Sequence, residues 1–175
     1  MTNNEIDDII ESIIDEKNDR ALLILSSSLI DDLLYHILNK YLLDPLKSNE
    51  ENLIKGDNPL GSFSSRIKMV YRLGIIDRSF LNILDKIRDI RNKCAHRTSI
   101  KADKSPIKDD LNYLYKLLEG KESINLTKKR YLIDEKTIFA EIKVAYISIC
   151  IILKVIYDNI DPIKPNNKLV KISTK

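Results

Sequence analysis

Arg91-Asn92-Lys93-Cys94-Ala95-His96 sets a guanidinium and an imidazole five positions apart, and His96 is one of only two histidines in the chain. Arginine grips phosphates and carboxylates with a planar fork of donors. Histidine exchanges a proton near neutral pH. Brought together, the two suit metal-free RNA cleavage. His96 would take the proton of a 2′-OH or give one to the leaving 5′-oxygen. Arg91 would neutralise the phosphorane-like charge, and Asn92 would orient the phosphate or the imidazole. RNA is implied because only it carries the internal 2′-OH nucleophile. Arg88 lies three residues before Arg91, and Arg97, Lys101 and Lys104 follow in a basic loop, a possible backbone track for RNA. The same residues also admit a structural role, with Arg91 and Asn92 bonded to a neighbouring loop and His96 favoured by the helix dipole.

The segment closes a helix expected over residues 78–95, capped by Asp77, with Phe80, Leu81, Leu84 and Ile87 on its apolar stripe. On a straight helix, positions five apart are separated by about 140° and about 7.5 Å of rise. Arg91 and His96 therefore meet only if the helix ends near Ala95 and His96 swings back, or if a two-fold dimer joins Arg91 of one copy to His96 of the other. Periodicity gives further helices over residues 3–16 (Ile6, Ile9, Ile10, Ile13, Ile14), 19–42, 63–73 behind Ser62, 107–119 and 135–159. Ser26-Ser27-Ser28 offers small residues for close helix approach. Residues 121–134 are ambiguous in pattern and admit a short strand or hairpin around Asn125–Ile133. The expectation is an all-α single-domain helical bundle of about six helices over residues 1–160. A flexible basic tail is expected over 161–175, with Lys164, Lys168, Lys171 and Lys175.

At 175 residues, with four Gly and five Pro, the chain suits one helical domain. Its net charge of +3 is small, but residues 1–20 hold seven acids against two bases, and residues 97–130 hold nine bases against five acids. That asymmetry permits a polyanionic partner on one side. Cys94 and Cys150 make no disulfide framework, so a reduced cytoplasmic protein is expected. The apolar stretch Val144–Ile152 is shorter than the ~20 residues that span a bilayer, and no membrane role is expected. Cofactors and metal are not expected: two histidines sixty residues apart and two cysteines fifty-six apart give no ligand spacing. There is no phosphate loop and no nucleophile elbow. His36, among Leu33, Leu34 and Ile37, reads as structural.

Residues 63–73, a Gly-containing turn and residues 78–95 have the outline of a helix-turn-helix. The stripe of the second helix must be buried, however, and Arg78 and Asn82 offer little to base edges, so direct sequence-specific DNA binding is disfavoured. A partner-binding module needs only a surface, which the Ile-rich first helix and the apolar last helix can supply.

Arg91-Asn92-x-x-Ala95-His96 resembles the R-x4-6-H motif of HEPN domains. That resemblance implies an all-helical homodimer and either a metal-independent endoribonuclease of toxin–antitoxin or phage-defence type, with an antitoxin partner, or a non-catalytic RNA-binding or interaction domain. Some HEPN toxins carry a Tyr two residues after the His; here that position is Thr98. A longer likeness runs through Pro59-Leu60-Gly61-Ser62-Phe63-Ser64-Ser65-Arg66-Ile67, Tyr71-x-Leu73-Gly74-Ile75-Ile76 and Ile87-Arg88-x-Ile90-Arg91-Asn92-x-x-Ala95-His96. These residues resemble the mannitol operon repressor family over roughly 18–120. That resemblance implies an all-helical transcriptional regulator without a recognisable DNA-binding motif, acting through partners or RNA.

Overall fold

Apolar periodicity and well-formed caps lay out most of the bundle. In the computed structural model, which describes residues 3–45, 53–97, 99–131, 133 and 137–165, the described residues form seven helices and no strand. These are α1 (Asn3–Asp15), α2 (Asp19–Tyr41), α3 (Phe63–Arg72), α4 (Arg78–Ala95), α5 (Ile107–Leu118), α6 (Glu122–Tyr131) and α7 (Ile138–Asn159). Asn18, Ser62, Asp77 and Thr137 each cap a helix by accepting from a backbone N–H in the first turn. Ser62 and Ser65 cap each other reciprocally. Gly74 follows α3 in the left-handed conformation, which costs glycine least.

α2 is the axis of the fold. It packs against α7, α4, α3 and α1, and its buried residues, among them Leu22, Ile30, Leu33, Leu34 and Ile37, face several directions rather than one. By length and composition α2 could cross a membrane, but here its apolar positions are largely spent on neighbouring helices. Its most extensive contact is with α7. Ser26 and Ser27 are fully buried, the small residues that let another helix come close. Tyr146 of α7 fits there, wholly buried beside the Ser27 hydroxyl, and burial pushes its phenol pKa up. Ser27 itself donates to the Leu23 carbonyl at 2.6 Å.

The stretch whose pattern is ambiguous, admitting a short strand or hairpin around Asn125–Ile133, forms helix α6 over Glu122–Tyr131. Its core face is narrow, Ile124 and Thr127 one turn apart, so the surrounding polar residues hide the helical period. Thr127 receives a 2.8 Å hydrogen bond from Ser148 of α7, which fixes the pairing of the two helices. Lys128, Lys129 and Arg130 sit in the last turn, where they complement the helix dipole. After α7, Ile163 donates to the Tyr41 carbonyl at 2.8 Å, so residues 160–165 return to the end of α2. The expected flexible tail falls largely outside the described residues, including Lys168, Lys171 and Lys175.

Leu33 is fully buried in the middle of α2. Leu33→Ala is expected to cost about 2–5 kcal/mol, since the lost transfer energy is joined by an unfilled cavity. Denaturant unfolding followed by circular dichroism measures it.

Candidate functional site

α4 runs unbroken through Arg91 and Asn92 to Ala95. His96 is its C-cap, with φ −87° and ψ 1°, and its N–H reaches the Asn92 carbonyl at 3.3 Å. The backbone therefore stays near the helical path and does not fold His96 back. His96 and Asn92 are exposed, whereas Arg91 is half-buried. Among the described residues no hydrogen bond or ion pair joins Arg91 to His96.

The charge of Arg91 lies near enough to Asp31 of α2 to pull its carboxyl pKa down, though no hydrogen bond or ion pair joins the two among the described residues. Arg66, from α3, is the second cation there. Its Nη1 bonds Asp31 Oδ1 at 2.5 Å, and its Nη2 bonds the Ile54 carbonyl at 2.9 Å. Arg66 also lies over the Tyr35 ring, 5.6 Å from its centroid. The side chains of Arg66 and Asp31 are only 10% and 17% exposed. Burial pushes the Asp31 carboxyl pKa above its usual value, and the pull of Arg66 and Arg91 offsets only part of that. The turn supplying Ile54 is itself tight: a Cβ on Gly61 would lie 1.9 Å from the Gly56 carbonyl oxygen. Gly61 therefore helps hold the loop against Arg66. One turn along α2, His36 packs edge-on to Tyr35, and burial lowers its pKa, which keeps the imidazole neutral.

Arg88 points to different partners. It pairs with Asp85 at 2.8 Å and Asp89 at 2.9 Å, and donates to Ser64 of α3 at 3.1 Å. Its charge is thus matched locally. On a further face of α4, Lys93 and Lys86 (3.2 Å) bond Asp110 of α5. Burial pushes the Asp110 carboxyl up, but these two bonds outweigh it and hold its pKa below the usual value.

The end of α4 is pinned from the start of α2. Arg20 Nε donates to the Cys94 carbonyl at 3.0 Å, and Asp19 Oδ2 accepts from the Ala102 N–H at 2.8 Å. Sequence reasoning missed both roles, because the partners lie 74 and 83 residues away along the chain. These two bonds hold the loop that presents His96, Arg97, Lys101 and Lys104, all exposed. Among the described residues none of the three cations has an ion pair. Thr98 lies outside the described residues. Cys94 and Cys150 are buried free thiols, and burial pushes them up to about 11 and about 12. Among the described residues no cluster of three or more His, Cys, Asp or Glu is placed to hold a metal ion.

Chemically, the site is a buried Arg66–Asp31 pair in the middle of α2 and, held by the start of α2, an exposed cationic edge at residues 96–104. A family model described as mannitol repressor matches residues 5–145. No curated protein matches the chain. Among solved structures, a chain of the X-ray structure of the MtlR–HPr complex from Escherichia coli is similar, with a TM-score of 0.63 at 16% identity. The match covers 86% of this chain and 99% of that one. At that identity the likeness speaks for the fold.

Arg91→Gln is expected to raise the Asp31 pKa further, read by NMR titration of the carboxyl. Folded Asp31 already titrates above its ordinary value of 3.8, so ionising it costs stability as pH rises through that interval. The variant should incur a larger cost, of no more than about 1 kcal/mol at pH 7. The two stability curves should converge below the unfolded pKa, where Asp31 is protonated in both states.

Proposed function

From the premise that the chain belongs to the mannitol repressor family, we propose that it is a non-enzymatic regulator that works by docking a partner protein on the cationic edge His96, Arg97, Lys101 and Lys104. The observation that carries this is the exposed edge beyond the end of α4, pinned by Asp19 and Arg20, whose cations have no ion pair among the described residues. Such an edge suits an acidic surface and speeds its association. A complex with HPr is known for the similar Escherichia coli protein, which makes HPr the natural first probe. On this reading, transcriptional control passes through the bound partner.

RNA is the second reading, favoured by the same exposed cations, which can track a phosphate backbone. Cleavage would need His96 to meet an Arg91 supplied by a second copy across a two-fold axis, in the manner of HEPN-type ribonucleases with or without an antitoxin.

One set of samples separates the readings: the full chain and Arg97→Glu/Lys101→Glu/Lys104→Glu, each titrated with HPr by calorimetry and incubated with RNA in excess EDTA. The docking reading expects an HPr complex with a Kd below ~100 µM, weakened at least about tenfold in the variant, and intact RNA. Absence of a complex at that concentration contradicts it. RNA cleaved to 2′,3′-cyclic phosphate ends, and lost in His96→Ala, establishes the ribonuclease reading instead.

A further inference from the structure

Among the described residues an apolar groove lies open beside α6. About 750 Å³ in volume, it runs between α6 and α7, with Ile151, Ile152, Val155 and Ile156 on one side and Leu126 on the other. Leu126 and Val155 are 58% and 55% exposed, more than any other large apolar side chain among the described residues. They face the same groove, so the exposure is contiguous rather than scattered, the pattern that marks an interaction surface.

The charges on α6 indicate the occupant. Glu122 lies four residues before Leu126, and Arg130 lies four after it, with Lys129 beside Arg130. Positions four apart share a helix face, so this face of α6 reads acid, leucine, base over about 12 Å. All of these residues are exposed, and Glu122 and Lys129 have no ion pair among the described residues. Arg130 rests over the neighbouring Tyr131 ring, 5.4 Å from its centroid. Read in the opposite direction, the order reverses to base, leucine, acid. The face is therefore complementary to an antiparallel copy of itself, as an isologous two-fold interface requires. With the axis beside Leu126, residue 122 of one copy stands against residue 130 of the other, and the reverse.

We propose that a second copy of this chain occupies the groove, with Leu126 of each copy seated against Val155 and Ile152 of the other, and Glu122 facing Lys129 and Arg130 across the axis. The two ion-pair sets fix the antiparallel direction, because a parallel pairing would oppose like charges. The apolar groove supplies the burial that exposed ion pairs alone do not. This interface uses α6 and α7 rather than the end of α4, so the cationic edge at residues 96–104 is not part of it.

Sedimentation velocity of the full chain between ~1 and ~100 µM tests the proposal. The wild type is expected to pass from monomer to dimer across that range, and Leu126→Asp to remain monomeric with unchanged circular dichroism. Glu122→Arg alone sets like charges together at both ends of the interface and should weaken the dimer at least about tenfold. Lys129→Glu/Arg130→Glu should do the same from the other side. Combining all three reversals restores opposite charges and should return the Kd to within about threefold of wild type. A wild type monomeric at ~100 µM overturns the proposal, as does a dimer that survives Leu126→Asp. A combined variant no tighter than the single reversals also overturns it.

Discussion

Asp31 stands near the middle of α2, where the Arg66 guanidinium of α3 bonds it and the charge of Arg91 on α4 is near enough to act on it. The carboxylate is largely buried, so its charge is tolerated only because Arg66 bonds it and Arg91 lies near. Arg66 in turn ties the loop before α3 through the Ile54 carbonyl. A single ion pair thus relates two helices and a loop. Apolar packing can hold α3 against α2 in several rotations of similar energy, whereas a bonded buried charge is satisfied in few. Net stability gained from such a pair is small, but removing one partner strands the other.

The course of α4 has a functional consequence. It runs unbroken to Ala95 and leaves Arg91 and His96 of one chain unjoined. The exposed group at the end of α4 is then His96 with the cations that follow it, held in place by Asp19 and Arg20 from α2. A pinned, exposed and cationic edge is suited to recognition. It also lies within the stretch over which the family model matches. The open α6–α7 groove is a second surface of different character, apolar with charges at its two ends.

Most of the bundle was legible because its helices carry two independent signals. The isoleucine stripe of α1 and the caps at Ser62 and Asp77 lie where the sequence places them. Helix α6 was not legible, because two buried positions are too few to reveal a period. The Arg91–His96 pair was legible as residue types but not as geometry. Asp31 lies sixty residues upstream, beside Asp32 on what reads as an ordinary polar strip, and only the tertiary fold brings it to Arg91. Arg88 had a usable signal: Asp85 and Asp89 flank it at helical and adjacent spacing, and both neutralise it. Arg97, Lys101 and Lys104 were readable as an exposed basic loop because they follow a helix end and precede Ser105-Pro106.

The structural role of Arg91 is most directly tested by a double-mutant cycle on folding stability, with Asp31→Asn, Arg91→Gln and the pair measured at pH 7. If Arg91 is committed to Asp31, the two changes are not additive, and the coupling exceeds the ~0.3–0.5 kcal/mol within which independent sites add. Additivity within that band would mean that Arg91 is free of Asp31, and would return it to the exposed edge as a group available for binding or chemistry.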